Sequence, residues 1–247
     1  MNKQEELTQK FYEIKRKGWI ETKRHGDQCL GNTFEDLIGK EEDNKSEADF
    51  HGIELKSHRT ITKSMVTLFS KSPSYPQGVN TYLRETYGVV EGDFGKRVLN
   101  TTISGNKFNS HRGGHGFKAF VDKKAEKIFL QICDLKTNEI LNDKIYWDFS
   151  VLEKALNKKL QKIAIFYGDE KKENDKCYVR YTKMVFIEGI TLNGLLTAIE
   201  EGKLLIDIRI GVYASGKNIG KTHDHGTAFR IHLEDLISTY GTSTIFE

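Results

Sequence analysis

The chain has 247 residues, 37% hydrophobic and 30% charged, with a formal net charge of +3. That length suits one domain of one or two lobes with a sizeable core, and the near-balance of charge permits nucleic-acid binding without arguing for it. No apolar run approaches the ~20 residues of a membrane span, and the charged start MNKQEELTQKFYEIKRKGW lacks the apolar core of a secretory signal. The scattered Cys29, Cys133 and Cys177 form neither a zinc spacing nor a disulfide framework, which predicts buried thiols in a reducing cytoplasm.

Residues 4–17 place Leu7, Phe11 and Ile14 at helical spacing and predict an amphipathic helix stopped by Gly18. The basic run Lys23-Arg24-His25 suits phosphate contact or a solvated turn equally. A short helix is predicted within 31–39, with Thr33 as its N-cap, Asp36 three residues on, and Phe34, Leu37 and Ile38 on the buried face. Glu35 then points away from that face. The charged stretch 40–47 reads as a loop.

Asp49-Phe-His-Gly-Ile-Glu-Leu-Lys56 follows. On a strand, Glu54 and Lys56 share one face while Ile53 and Leu55 turn to the core. Asp49 has the wrong parity for that face, and Gly52 allows a bend or bulge that brings it round. Two carboxylates and an ammonium at a sheet edge can hold Mg²⁺ through oxygen ligands and set a cation beside an attacking water. The same spacing arises by chance in a chain this charged, so an ordinary half-exposed strand stays open. His51 and His58 flank it, in a catalytic or a supporting part.

Ser64–Ser70 reads as the next strand and the hairpin partner of the first. The only prolines, Pro73 and Pro76, stiffen a loop, 71–78, that carries Lys71, Ser72 and Tyr75. A helix is predicted over 79–88. Strands at 98–103 and 117–121 flank a Gly/Asn/Ser/His-rich stretch, 104–116, read as a mobile loop near a polyanion or as a long exposed turn. Further strands are predicted at 128–133, 162–167, 177–187 and 204–213, with helices at 149–159 and 191–200 and a charged turn between the second and third of those strands. The mixture predicts an α/β or α+β fold with a central mixed sheet.

Along 204–213, Asp207 and Arg209 share the polar face. A loop then supplies Lys217, Lys221, Thr222, His223, Asp224 and His225, and a returning strand at 227–232 carries Arg230 before a short final helix. Arg can donate in bidentate fashion to guanine, Asp can accept from cytosine, and a two-stranded ribbon fits the major groove. Zinc binding by His223, Asp224, His225 and His232 is a second reading, short of a ligand at standard spacing. An ordinary exposed hairpin is the third.

At these residues the sequence resembles the MvaI/BcnI type II restriction endonucleases and, more distantly, the MutH-like nickases of mismatch repair. The resemblance covers nearly the whole chain. It rests on Gly18-Trp19-x-Glu-Thr-Lys23-Arg24, Thr33-Phe-Glu-Asp-Leu37, Glu41-Glu-Asp-Asn44 and the Asp49–Lys56 stretch, on Thr67-Leu-Phe-x-Lys-Ser-Pro73 and Asp207-Ile-Arg-Ile-Gly211, and on the long run Gly220–Ile231. It implies a PD-(D/E)xK core, a central mixed sheet flanked by helices, with a catalytic lobe over about 1–150 and a recognition lobe over about 151–247 that holds the ribbon 204–232. It further implies hydrolysis of double-stranded DNA with Mg²⁺, or Mn²⁺ as substitute, by a cytoplasmic monomer that cuts one strand at a time. The implied site is of CC-N-GG type, CCWGG in the narrower form, and the partner in the system is a cognate DNA methyltransferase.

Residue by residue, Asp49, Glu54 and Lys56 match the catalytic triplet, with Asp49, Glu54 and the Leu55 backbone carbonyl as metal ligands. Glu35 matches the additional acid of the MutH-like subgroup. Asp207, Arg209, His223, Asp224, His225 and Arg230 match the recognition region, beside Lys217 and Lys221. The loop with Lys71, Ser72 and Tyr75 matches the part that approaches the minor groove. The chain departs from the MvaI-type pattern at Ser74-Tyr-Pro-Gln77, Val212 and Ala214, positions that bear on the central base pair. Two other classes stay in view: a partner-dependent repair nickase, excluded by unaided double-strand cutting, and a silent DNA-binding module, excluded by metal-dependent cleavage.

Overall fold

The structure, a computed structural model, describes residues 2–24, 26, 28–39, 48–60, 64–93, 95–239 and 242–247. The expected loop at 40–47, with its Glu41–Asn44 motif, and His25 lie outside the described residues. The elements begin α1 (Lys3–Arg16), β1 (Ile20–Thr22), α2 (Cys29–Leu37), β2 (Glu54–Arg59), β3 (Met65–Ser70), α3 (Val79–Tyr87), β4 (Val89–Val90) and β5 (Arg97–Ile103). They continue β6 (His115–Asp122), β7 (Lys127–Asp134), β8 (Ile140–Asp148), α4 (Phe149–Lys159), β9 (Lys162–Glu173) and β10 (Lys176–Glu188). The last are α5 (Leu192–Glu201), β11 (Leu204–Val212), β12 (Thr222–His232), α6 (Leu233–Thr239) and β13 (Thr242–Phe246). The fold is a mixed α+β one built on several sheets.

The chain forms two compact units: Met1–Val66, Leu156–Thr191 and Leu236–Glu247 make the first, Thr67–Ala155 and Leu192–Asp235 the second. One passage between them lies inside α4, between Ala155 and Leu156. The chain also passes between them within β3, before α5 and within α6, so each unit is assembled from segments distant in sequence.

The first unit is a sheet in the order β1-β10-β9-β2, with β13 also on β10. α1 starts with a reciprocal cap: Asn2 Oδ1 accepts from Glu5 N and Glu5 Oε2 accepts from Asn2 N, each at 2.9 Å. Its buried face is Leu7, Phe11 and Ile14, at the expected spacing. β9 and β10 are longer than expected because the charged run between them is itself strand; only Asn174 and Asp175 turn, both at positive φ, the two-residue hairpin that suits strand twist. Phe34 stacks on Phe166 with centroids 3.6 Å apart, and Tyr181 donates its hydroxyl to Leu30 O at 2.7 Å, which seats α2 on the sheet.

Two expectations for this unit are corrected. Thr33 does not cap α2, which starts four residues earlier; Thr33 is buried mid-helix, its hydroxyl 2.8 Å from that of Thr22. Thr33 lies on the packed side of the helix, where a partner hydroxyl on β1 satisfies it without a cap. Nor is β3 the hairpin partner of β2. β2 pairs in parallel with β9, Glu54 opposite Ile163 through Arg59 opposite Gly168, while β3 joins β12 in another sheet. β9 offers a fully buried apolar run, Ile163–Phe166, and a parallel partner is reached only through a long crossover, which no local pattern reveals.

The second unit holds a five-stranded sheet, β3-β12-β11-β5-β4, and a three-stranded sheet, β6-β7-β8. Phe229 of β12 lies between Phe69 and Trp147, at 4.7 and 6.0 Å, in its core. β8 and β13 had no expected counterparts, since their exposed residues lack a clean alternation. The stretch 104–116 is anchored at several points, although Asn106, Lys107, Ser110, Arg112 and Gly114 stay exposed. Asn109 Nδ2 donates to Thr101 Oγ1 (2.8 Å) and Thr102 O (2.6 Å), and its Oδ1 accepts from Phe117 N (2.9 Å). Gly105 runs so close to α5 that a Cβ there would lie 2.2 Å from Ile199 O.

His111 is buried in this stretch, its Nδ1 accepting from Gly113 N. Burial, with Arg112 and His115 adding to it, holds its pKa below the ordinary 6.5. The unfolded chain therefore takes up this proton first as pH falls, and the stability present above 6.5 is lost in acid. We expect the melting temperature to drop between about pH 7 and about pH 5.5, and to drop less in His111→Asn. Equal drops in both proteins would remove His111 as the cause.

Candidate functional site

The acidic stretch is shaped by a tight turn. Phe50 and Ile53 exchange both backbone hydrogen bonds at 2.9 Å, with His51 (φ +48°) and Gly52 (φ +88°) at the corner. Two consecutive positive φ values make the mirror-image turn that glycine favours at its second corner and that His tolerates at its first. The chain thus doubles back within four residues, and Asp49 lies alongside the start of β2. Asp49 Oδ2 accepts from Leu55 N at 3.0 Å. The bend expected at Gly52 is this turn, and no bulge is needed.

β2 is the outer strand of its sheet. A strand residue's N–H and C=O leave on the same side, so the Leu55 carbonyl points to the edge where Asp49 sits. Glu54, two residues before Lys56 and on the same face, is only 2% exposed, not on a wet face as the strand pattern suggested. Its Oε1 accepts from Lys56 Nζ at 2.6 Å, and Lys159 Nζ lies 3.5 Å from the same oxygen. Its Oε2 is buried without a hydrogen-bond partner. Glu35 is half-buried on α2. Among the described residues no three His, Cys, Asp or Glu side chains are grouped to share one metal ion. A cation here would draw on two carboxylates and the Leu55 carbonyl. That hard-oxygen set, with one buried carboxylate oxygen unsatisfied, fits a divalent ion of the Mg²⁺ kind.

The ribbon is β11 and β12. β12 begins at Thr222, so His223, Asp224 and His225 stand on a strand and not in the expected loop; Lys217 alone of that group sits in a short 3-10 turn, Gly216–Asn218. The expected faces of β11 hold: Ile206, Ile208 and Ile210 are buried and Arg209 is partly exposed. Asp207, on the Arg209 side, is itself only 6% exposed. It accepts from Thr102 Oγ1 (2.9 Å) and Arg230 Nη1 (2.9 Å), with Arg209 Nε 3.6 Å from the same Oδ2. One carboxylate therefore holds two arginines, a part its residue type alone did not suggest. Arg209 joins this group by the two-residue alternation of β11, and the register shift between Ile208 and Ile210 sets His225 and Gly226 of β12 opposite it.

At the ribbon's far end His223 lies between Tyr213 (centroids 3.9 Å) and His225 (3.7 Å). Desolvation, then His223 and Arg209, hold His225 below the ordinary histidine pKa against the pull of Asp224. Asp224 accepts from Asn80 Nδ2 (2.9 Å) and Gly226 N (2.7 Å), and the same amide nitrogen donates to Ser72 Oγ (3.2 Å). Lys221 donates to Asn218 Oδ1. The proline loop is tied down: Lys71 N donates to Thr227 O, Trp147 Nε1 to Lys71 O, and Ser74 N to Tyr146 O. Tyr75, 53% exposed, stacks on Tyr146 at 5.4 Å.

Sequence reasoning missed Lys159, Asn80, Thr102, Tyr213 and Tyr146. Asn80 alone left a trace, a buried amide on the helix face that otherwise carries Val79, Leu83 and Tyr87. Lys159, Thr102 and Tyr146 matter through partners distant in sequence, and Tyr213 through stacking on His223 across the ribbon.

A family model, the MvaI/BcnI restriction endonuclease family, matches residues 8–240. A solved structure described as restriction endonuclease MvaI in complex with cognate DNA substrate is 41% identical, over 99% of each chain, with a TM-score of 0.91. Another, restriction endonuclease MvaI in the absence of DNA, is 40% identical, over 100% of this chain and 98% of that one, with a TM-score of 0.66. No curated protein matches the chain.

Proposed function

The chain belongs to the MvaI/BcnI restriction endonuclease family and is a type II site-specific endonuclease, and from that premise we propose that it hydrolyses double-stranded DNA at a CC-N-GG-type site, CCWGG in the narrower form, as a Mg²⁺-dependent monomer cutting one strand at a time. The observations that support the chemistry are the hydrogen bond from Leu55 N, between Glu54 and Lys56 in the chain, to Asp49 Oδ2, the Lys56–Glu54 pair, and Glu54 Oε2 buried and unsatisfied. The description of an MvaI structure as a complex with its cognate DNA supports double-stranded DNA as the substrate.

Asp49, Glu54 and the Leu55 carbonyl would hold the ion, with Glu35 as a further acid. When bound, a divalent cation supplies Lewis-acid polarisation of a phosphoryl oxygen. The Lys56 ammonium, fixed by Glu54 Oε1, faces the charge that develops on the phosphoryl group and orients the attacking water. Arg209 and Arg230 donate to guanine edges in the major groove, and Asp207 holds them there. His223, Asp224 and His225 read the adjoining pairs, Lys217 and Lys221 meet phosphates, and Lys71, Ser72 and Tyr75 approach the minor groove. The first unit is the catalytic body and the second the reading body. The host's own sites, in the cytoplasm, would be protected by a cognate methyltransferase.

The test is to incubate the purified chain with a long DNA and Mg²⁺ and to sequence the ends. Discrete fragments ending in one short sequence, absent with chelator, are expected. Intact DNA, or cutting that survives chelator, would overturn the reading.

A further inference from the structure

We propose that Lys159 is a positioning residue of the cutting site: it neutralises Glu54 in the metal-free chain and competes with the divalent cation for it, so that metal binding without DNA is held weak. This rests on the reading of Asp49 and Glu54 as the metal ligands.

The topology delivers Lys159 to this place. It ends α4, and β9 begins three residues later at Lys162. Because β9 runs parallel to β2 with Ile163 opposite Glu54, both strands start at the same end of the sheet. A short turn between α4 and β9 must therefore set the last residues of the helix beside Glu54. A lysine at a helix C-terminus also sits favourably against the helix dipole.

The two lysines on Glu54 are not equivalent. Lys56 Nζ, at 2.6 Å, makes a charge-assisted hydrogen bond. Lys159 Nζ, at 3.5 Å from the same oxygen, is beyond hydrogen-bond range and acts by charge alone. A carboxylate this buried needs cations, and Lys159 is the more readily released of the two, its side chain being 30% exposed. With both lysines in place, the two charges of Asp49 and Glu54 are already balanced. An incoming divalent ion then meets two ammonium groups as well as two carboxylates. A DNA phosphate changes the account, because it offers Lys159 a second anion to face. DNA and metal thereby assist each other's binding, as linkage requires.

The experiment uses the full chain and Mn²⁺ alone, titrated calorimetrically, for wild type, Lys159→Met, Lys159→Arg and Glu54→Gln. Lys159→Met is expected to bind Mn²⁺ about tenfold more tightly than wild type, from the removal of one nearby like charge. Lys159→Arg should match wild type, and Glu54→Gln should bind far more weakly. A second series with a short duplex carrying the cut site should show DNA tightening Mn²⁺ binding less in Lys159→Met than in wild type. If Lys159→Met binds Mn²⁺ as wild type does, or less tightly, while Glu54→Gln is weakened, the part given to Lys159 is wrong and the ligand assignment stands. If Glu54→Gln binds as wild type, the ligand assignment falls and this proposal with it. Should Lys159→Met lose its native circular dichroism, Lys159→Gln carries the same comparison.

Discussion

Lys56→Ala is expected to slow strand cleavage by about 10²–10⁴-fold, the range of a positioned polar group in proton-transfer and charge-stabilising steps, while specific DNA binding persists. The Lys56 ammonium is held at 2.6 Å by a carboxylate that is itself almost wholly buried, so its position is set by the sheet and not by the substrate. Removing it leaves Lys159 as the cation near Glu54 Oε1, which limits the damage to the fold. The measurement is single-turnover cleavage of the cut site in Mg²⁺, beside binding to the same duplex in Ca²⁺ and a thermal melt. Cleavage at the wild-type rate would take Lys56 out of the chemistry. Loss of binding with a normal melt would make it a DNA-holding residue.

Arg230→Ala is expected to weaken binding to the cognate duplex by about 1–3 kcal/mol and to relax discrimination at one G·C pair. Its companion, Asp207→Asn, tests the arrangement that the structure adds. Asp207 touches Thr102, Arg230 and Arg209 from a buried position, and an amide of the same shape can still accept from Thr102. It cannot supply the charge that gathers both guanidinium groups. Asp207→Asn should therefore lose discrimination at both arginine-read pairs with little change in non-specific affinity, which depends on phosphate contacts. The readout is Ca²⁺-supported binding to the cognate duplex and to duplexes changed one pair at a time. If Asp207→Asn discriminates like the wild type, the arginines do not need the carboxylate to read.

Much of the fold was legible because its signals are local. The apolar spacing of Leu7, Phe11 and Ile14, the alternation along 204–212 and the apolar run at 163–166 each follow from one element burying one face. Where burial and exposure are mixed the signal fades, as in β8 and β13, and a cap read from residue type at Thr33 proved to be a hydroxyl pair inside a helix. A hairpin between β2 and β3 was the economical local reading. The observed partner, β9, lies over a hundred residues away and brings a fully buried apolar run, Ile163–Phe166, that no local pattern around β2 reveals.

The identity of the chemistry, two carboxylates and a lysine in one short stretch and an Arg/His/Asp ribbon near the other end, was determined by the sequence, since residue type and spacing are properties of the chain alone. The tertiary structure decided how those groups are held. It showed that Gly52 and His51 make a reversing turn that returns Asp49 to Leu55, and that Glu54 is buried and shared by two lysines. It also showed that Asp207 serves two arginines before any base. Each of these depends on which oxygen meets which nitrogen across strands far apart in sequence, and only the packed chain brings them within reach.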